Sequence, residues 1–490
     1  MSGPERILAL DLGSSGVRAI VYDDQVERVG AALARRPVEP EQDDDGRGEL
    51  VPRAYLAGLV ECIDELAAEG ALDDVTRVAA SSQWHSVLAV GSDGEPCSAV
   101  LTWLDTRAAA MKPNPPADPV AFHERTGAWA HPLYWMTKVP FLRTLGDFGG
   151  VGGVGGGTGF VGLPDYVLGV LLGEVTTSVS MASGTGLLDL AAMTWDDEAL
   201  ALAGLTAADV PEIDDTPRTL VDPWRSRWPA LADAEWYAVV GDGAASNLGS
   251  GCATDDAVAV TVGTSAALRV VHGPGAPPPA PTVWRYRVDT SRLVSGIAFS
   301  GGGVLHAWAV RMLGLDPDAE PDRPPGTSSL VSVPLHAGSR PPGSAPPGSG
   351  LVSGLSLDTS ADEFLAATLE GVALEAARAL EVLEGSFAPR SAVSLPREEP
   401  ADCRRDVVLG GGAVDASPWW RQAFAATFGR PVRLASDPEV GARGAAALAL
   451  GFDLARPTER VEPSDADVAR MAALRRRYAD LRQVVDERIL

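Results

Sequence analysis

The chain has 490 residues, 46% of them hydrophobic and 22% charged, a globular composition too long for one core, so two domains are expected, 1–250 and 251–490. Its net charge of −26 argues against nonspecific nucleic-acid binding and against docking on an anionic membrane. Cys62, Cys97, Cys252 and Cys403 are scattered without metal-ligand spacing, Ile7–Leu10 is cut short by Asp11 before it can form a signal-peptide core, and no apolar run approaches the ~20 residues of a membrane span; the expectation is a cytoplasmic protein with reduced thiols.

The first predicted element is a β-hairpin. Ala9-Leu10-Asp11-Leu12-Gly13-Ser14-Ser15 reads as a strand and a Gly-hydroxyl turn, and Arg18–Val21 as the returning strand, so backbone N–H groups are exposed at a tip that suits an anion. Half the chain length further on, Ala259-Val260-Thr261-Val262-Gly263-Thr264-Ser265 and Leu268–Val271 repeat the pattern. Two such tips predict related domains facing one another around a nucleoside triphosphate. Only the first copy has a carboxylate, Asp11, suited to hydrated Mg²⁺; the second has Thr261.

A helix is predicted at Arg53–Glu69 and strands at Val78–Ser82 and Ser86–Val90, an α/β alternation. Gln83-Trp84-His85-Ser86 interrupts that strand pair and Trp103-Leu104-Asp105-Thr106-Arg107 follows. Aromatic, imidazole, carboxylate and guanidinium groups suit a polyol or sugar acid, although Asp105 and Arg107 also read as a local ion pair. The glycine tract 149–159 lacks the Lys-Ser/Thr of a Walker loop and reads as a flexible surface loop. An apolar strand, Trp236–Val240, ends in Gly241-Asp242-Gly243, which exposes a carboxylate where a general base reaches a substrate hydroxyl.

In the second half, Gly301-Gly302-Gly303 lies between a strand at Ile297–Phe299 and a helix at Val304–Leu313. Pro/Gly-rich connectors at Pro317–Gly326 and Ser339–Gly350 lead to an amphipathic helix at Asp362–Leu383. Gly410-Gly411-Gly412-Ala413 joins the strand Val407–Leu409 to a helix at Pro418–Phe428 and lets a flat ring or phosphate approach the backbone at a helix N-terminus. A surface helix at Asp465–Val485 closes the chain.

The chain is identified as a member of the FGGY carbohydrate kinase family. Gly350-Leu351-Val352-Ser353-Gly354-Leu355, followed by Glu363-Phe364-Leu365-Ala366-Ala367-Thr368-Leu369-Glu370, resembles that family's C-terminal signature, and the hairpin, Gly-Asp-Gly, Gly-Thr-Ser and Gly-Gly-Gly-Ala motifs fall in the family order. The resemblance implies an α/β fold of two ribonuclease-H-like domains, of the actin and sugar-kinase superfamily, with an interdomain active-site cleft. It implies Asp242 as catalytic base, Asp11 as the magnesium-side carboxylate, and Gly13, Ser14, Ser15, Arg18, Gly263 and Thr264 around the phosphates. Gly303, Gly411, Gly412 and Ala413 would lie beside the nucleotide, and Trp84, His85, Asp105, Arg107 and Asp242 around the acceptor.

Thr102–Arg107, His131-Pro132-Leu133-Tyr134-Trp135 and Ala182–Leu187 are most similar to the gluconokinase branch. The implied activity is ATP- and Mg²⁺-dependent phosphorylation of a small sugar or sugar acid, gluconate first, then xylulose, ribulose or glycerol, with His85, Arg107, His131 and Lys138 as cations for a carboxylate. A homodimer is compatible with this reading. Departures from the family pattern are Gly338-Ser339-Arg340-Pro341-Pro342 in place of Gly-Glu-Arg-Ser-Pro, and Phe141 in place of a Trp. A noncatalytic sugar or nucleotide sensor and an acceptor-free ATPase are the alternatives; intact Asp11 and Asp242 argue against the first, and the polar groups around Trp84 against the second.

Overall fold

The computed structural model describes residues 5–111, 114–146, 159–340, 342–343, 345–387, 405–435 and 437–488. Lys112, Cys403 and the glycine tract apart from Gly159 lie outside the described residues. The chain forms two compact units: 1–249 with 285–294 and 439–454, and 250–284 with 295–438 and 455–490. The division expected after residue 250 therefore leaves out two later segments that pack with the first unit.

In the first unit, β1 (Arg6–Gly13) buries Ile7, Leu8, Ala9, Leu10 and Leu12, the near-continuous apolar run of a strand covered on both faces. It returns antiparallel through β2 (Gly16–Tyr22) to β3 (Arg28–Pro37) and pairs in parallel with β4 (Val75–Ser82). The helix α1 (Pro52–Ala68) starts with proline at its first turn. Two further short helices, α2 (Trp135–Leu145) and α3 (Val179–Gly184), belong to the same unit.

The strand expected at Trp236–Val240 is two pieces, β5 (Glu235–Trp236) and β6 (Val240–Gly241), both parallel to β4. Trp236 lies opposite Val78 and Val240 opposite Ser81, so this side advances one residue more than its partner. That is a bulge, and it sets the direction in which the next residue, Asp242, leaves the sheet. Asp242 is then the first residue of a helix, α4 (Asp242–Gly249), rather than part of a turn.

In the second unit, β7 (Ala257–Val262) and β8 (Ala266–His272) form the second hairpin; β9 (Trp284–Arg287) falls almost wholly in the 285–294 segment of the first unit, and the strand order of the second unit is β10 (Leu293–Phe299, from Ser295 onward in this unit), β8, β7, β11 (Asp406–Gly410), β12 (Val432–Leu434), β13 (Arg460–Val461). Within it β10-β8-β7-β11-β12 repeats the order β3-β2-β1-β4-β5 of the first sheet. This unit also holds the helices α5 (Gly303–Leu313), α6 (Ala361–Gly385) and the short α7 (Gly412–Asp415). From α8 (Pro418–Phe428), Trp420, Phe424 and Phe428 lie at four-residue spacing in a core shared with Leu365, Leu369, Val372, Ala376 and Leu380 of α6.

Helix α9 (Val440–Leu450) belongs to the first unit and α10 (Asp465–Arg488) to the second. Among the described residues no helix is long and apolar enough to cross a membrane, and Cys62, Cys97 and Cys252 are free. Helices α9 and α4 approach through small residues: a Cβ on Gly444 would lie 1.9 Å from the Ala245 carbonyl oxygen, and one on Gly249 1.9 Å from that of Val440. Gly444→Ala is expected to lower stability by about 1–3 kcal/mol by forcing these helices apart, read as a lower midpoint of chemical unfolding. A midpoint equal to that of the parent protein would contradict the contact.

Candidate active site

Strand β4 has a parallel neighbour on either side, with Asp11 of β1 opposite Ser81 and Gly241 of β6 opposite Ser82. Asp11 and Asp242 therefore emerge at the carboxyl ends of parallel strands, their backbones separated by two inter-strand spacings of about 4.8 Å each. Ligands of open α/β sheets bind at this end. Asp11 accepts from Ser81 Oγ at 2.9 Å and from Arg18 at 2.6 Å, while Asp242 Oδ1 accepts from the Gly243 N–H at 2.7 Å. Tyr55, wholly buried, donates its phenol to the Gly13 carbonyl at 2.7 Å. Burial, and then the charge of Asp11, pushes that phenol well above its ordinary pKa, so it keeps the donated proton.

Arg18 stands opposite Asp11 in the hairpin register and also lies 3.3 Å from Glu439, at the start of α9. Burial opposes its charge, but Asp11 and Glu439 outweigh it and raise the guanidinium above its ordinary value. Expected beside the nucleotide, Arg18 is thus engaged by two carboxylates. Ser81, Tyr55 and Glu439 escaped the sequence reading. The signal for Glu439 was an acid heading the small-residue run Val440-Gly441-Ala442-Arg443-Gly444.

A hydrated Mg²⁺ at Asp11 fits this surrounding. Each carboxylate oxygen accepts from one side chain, Oδ1 from Ser81 and Oδ2 from Arg18, and has a second lone pair, and the side chain is 15% exposed. Among the described residues no three His, Cys, Asp or Glu gather around a metal position. The protein's share would then be one carboxylate, the pattern of an ion that retains waters.

Trp84 is 5% exposed and donates its indole N–H to the Ser180 carbonyl at 3.1 Å. Glycines seat it: a Cβ on Gly241 would lie 1.8 Å from the indole, and one on Gly184 2.2 Å. His85 adopts φ 68°, donates Nδ1–H to the Gly184 carbonyl at 2.6 Å, and meets Tyr134 and Tyr286 edge-on at 5.4 and 5.7 Å; those two phenols are 2.7 Å apart. That bond fixes the tautomer, leaving the lone pair of the neutral ring on Nε2. The Ala182–Leu187 motif is accounted for by Gly184 under Trp84 and by Gly186, at φ 79°, against Tyr134.

The other acceptor candidates are consumed nearby. Asp105 is 3% exposed and forms a forked pair with Arg107, which also reaches Glu49 at 2.5 Å and lies over the Phe141 ring at 5.3 Å. Lys138, 0% exposed, donates to the carbonyls of His85 at 2.9 Å and Thr102 at 2.7 Å. His131 Nδ1 accepts from the Leu133 N–H at 3.1 Å. Of the four cations expected around a carboxylate, Arg107 is paired to two acids and Lys138 donates to backbone carbonyls; Asp105 and Arg107 form the local ion pair that their spacing also suggested.

The tip of the first unit, Gly13 to Gly16, is closed by a cross-strand pair, with Ser14 half-buried and Ser15 exposed. The tip of the second unit, Gly263-Thr264-Ser265, is held by Gly303, whose N–H donates to the Gly263 carbonyl at 2.7 Å. A Cβ on Gly303 would lie 3.0 Å from that of Ala413, so this glycine brings the tip to the Gly-Gly-Gly-Ala turn. Gly411, at φ 109°, packs on Val262, where a Cβ would lie 2.6 Å from the carbonyl oxygen. Beside Gly263 and Gly412 nothing lies within 4 Å of an added Cβ. These open glycine faces fit a phosphate or ring drawn close to the backbone.

Twin sheets of ribonuclease-H-like order, each carrying a glycine-hydroxyl hairpin, define an α/β protein of the actin and sugar-kinase superfamily. The chain matches the FGGY family of carbohydrate kinases, N-terminal domain over residues 6–220 and C-terminal domain over residues 259–451, and it belongs to that family. It is 25% identical to a gluconokinase of Bacillus licheniformis, covering 91% of this chain and 87% of that one. It is 28% identical to a xylulose kinase of Streptomyces coelicolor, over 91% and 88%. A solved structure described as a xyloylose kinase from Brucella ovis shares the fold with a TM-score of 0.85 at 23% identity, covering 99% of this chain and 100% of that one.

The two neighbouring glycines of the second unit separate by substitution. Gly411→Ala, strained at positive φ and in collision with Val262, is expected to lose about 1–3 kcal/mol of stability. Gly412→Ala should unfold at the same midpoint as the parent, and equal midpoints for both variants would refute the packing role of Gly411.

Proposed function

We propose that the protein transfers the γ-phosphoryl group of ATP to the terminal hydroxyl of an open-chain sugar acid, D-gluconate. The observation that carries the kinase chemistry is the emergence of Asp11 and Asp242 on either side of β4 at one end of the sheet. Asp242 accepts the proton of the attacking hydroxyl as that oxygen moves toward phosphorus. The Gly243 N–H holds the orientation of the carboxylate at the first residue of α4. In the second unit, the open faces of Gly263 and Gly412 let the nucleotide approach the backbone. Mg²⁺, held through Asp11, would neutralise phosphate charge. Arg18, fixed between Asp11 and Glu439, keeps that carboxylate in one orientation.

Gluconate is favoured by the three first-unit segments that resemble the gluconokinase branch and by the gluconokinase similarity over most of the chain. The second reading is a neutral ketose such as xylulose. It draws on the engagement of Arg107 and Lys138 elsewhere, which leaves His85 and His131 as the remaining imidazoles for a carboxylate, and on the xylulose kinase similarity.

Asp242→Asn should lower kcat by on the order of 10²–10⁴ while nucleotide affinity stays the same, because the amide keeps the shape and loses the base. Turnover at the parent rate would move the base elsewhere. For the acceptor, ADP release is measured over gluconate, xylulose, ribulose, glycerol and erythritol. Gluconate is expected to give the highest kcat/KM; a higher value for xylulose establishes the second reading and leaves the kinase chemistry intact.

A further inference from the structure

Two sequence segments singled out for acceptor chemistry, 83–86 and 102–107, are far from alike in their surroundings, yet one side chain joins them. Lys138, on α2, is 0% exposed, and its Nζ donates to the His85 carbonyl at 2.9 Å and to the Thr102 carbonyl at 2.7 Å. The His85 carbonyl belongs to a residue at φ 68°, a left-handed conformation that a side-chain-bearing residue rarely adopts. The His85 ring is clamped in turn by the Gly184 carbonyl at 2.6 Å and stands edge-on to Tyr134, the residue that precedes α2. The imidazole is thus held from its ring and, through Lys138, from its backbone.

Lys138 is not placed to meet the acceptor itself. Both of its bonded partners are main-chain oxygens, and Asp105, the acid whose charge acts on it, is occupied by Arg107 and by the Gly48 N–H at 3.1 Å. Burial draws its pKa down to about 7, against the pull of Asp105. An ammonium has three N–H groups and a neutral amine two, so either form supplies both bonds.

We propose that Lys138 is a positioning residue for acceptor selection: by tying the His85 carbonyl to Thr102 it fixes the left-handed turn that aims the imidazole at the carbohydrate. This rests on the reading of His85 as an acceptor contact in the proposed kinase. The reaction needs no chemistry from Lys138, so its loss is felt in binding of the carbohydrate and not in binding of the nucleotide.

The test is Lys138→Met, which keeps the length of the chain and removes the donors, with Lys138→Gln in its place if the first does not fold. The expected result is a rise of about tenfold or more in KM for the preferred acceptor with KM for ATP unchanged. In a double-mutant cycle with His85→Ala, the Lys138 substitution should add no further rise once the imidazole is gone. Unchanged acceptor KM in a folded variant, or additive effects in the cycle, would overturn the proposal. Amide hydrogen exchange supplies a readout that does not use activity: protection should fall in segments 83–86 and 102–105 and nowhere else. Unaltered protection there overturns the Lys138 assignment. Failure of the parent protein to phosphorylate any carbohydrate would instead overturn the function reading, and exchange would still decide the role of Lys138.

Discussion

The register of β4 against its two parallel neighbours is the constraint on which the first unit depends. Asp11 is opposite Ser81, and Gly241, the residue before Asp242, is opposite Ser82. A shift by one residue on either side would turn a carboxylate to the other face of the sheet, because side chains alternate along a strand. The one-residue bulge between β5 and β6 is part of this arrangement. It ends the strand at a point where the next residue can begin a helix, so Asp242 stands at the sheet edge with a helix N-terminus behind it.

Glycine has two distinct uses here. Gly184, Gly241, Gly303 and Gly411 are small because something packs where a Cβ would be: the Trp84 indole for the first two, Ala413 and Val262 for the others. Gly263 and Gly412 have no such neighbour within 4 Å. The first kind holds the walls and turns in place, and the second leaves backbone open. Sequence alone does not distinguish them, since both appear as a glycine in a glycine-rich motif.

The charges follow a similar logic. The chain carries a net charge of −26, so a cation near a binding site has many carboxylates available to it. Arg107 is bound by Asp105 and Glu49, and Arg18 by Asp11 and Glu439. A buried guanidinium keeps its charge only where such partners compensate for lost water. Lys138 meets the same demand with two backbone carbonyls, those of His85 and Thr102.

The sequence by itself determined the two hairpins, the strand-to-glycine-to-helix turns of the second half, the helices at 53–69, 362–383, 418–428 and 465–485 to within a few residues, and the family. These are local signals: apolar runs, turn glycines and motif order. Tertiary structure alone decided that 285–294 and 439–454 pack with the first unit, that Glu439, Ser81 and Tyr55 surround the first hairpin, and that Arg107 and Lys138 are spent on internal partners. Those facts depend on residues distant in the chain. A side chain's partner is fixed by which backbone and which opposite charge the fold brings within hydrogen-bond distance, and no local pattern carries that information.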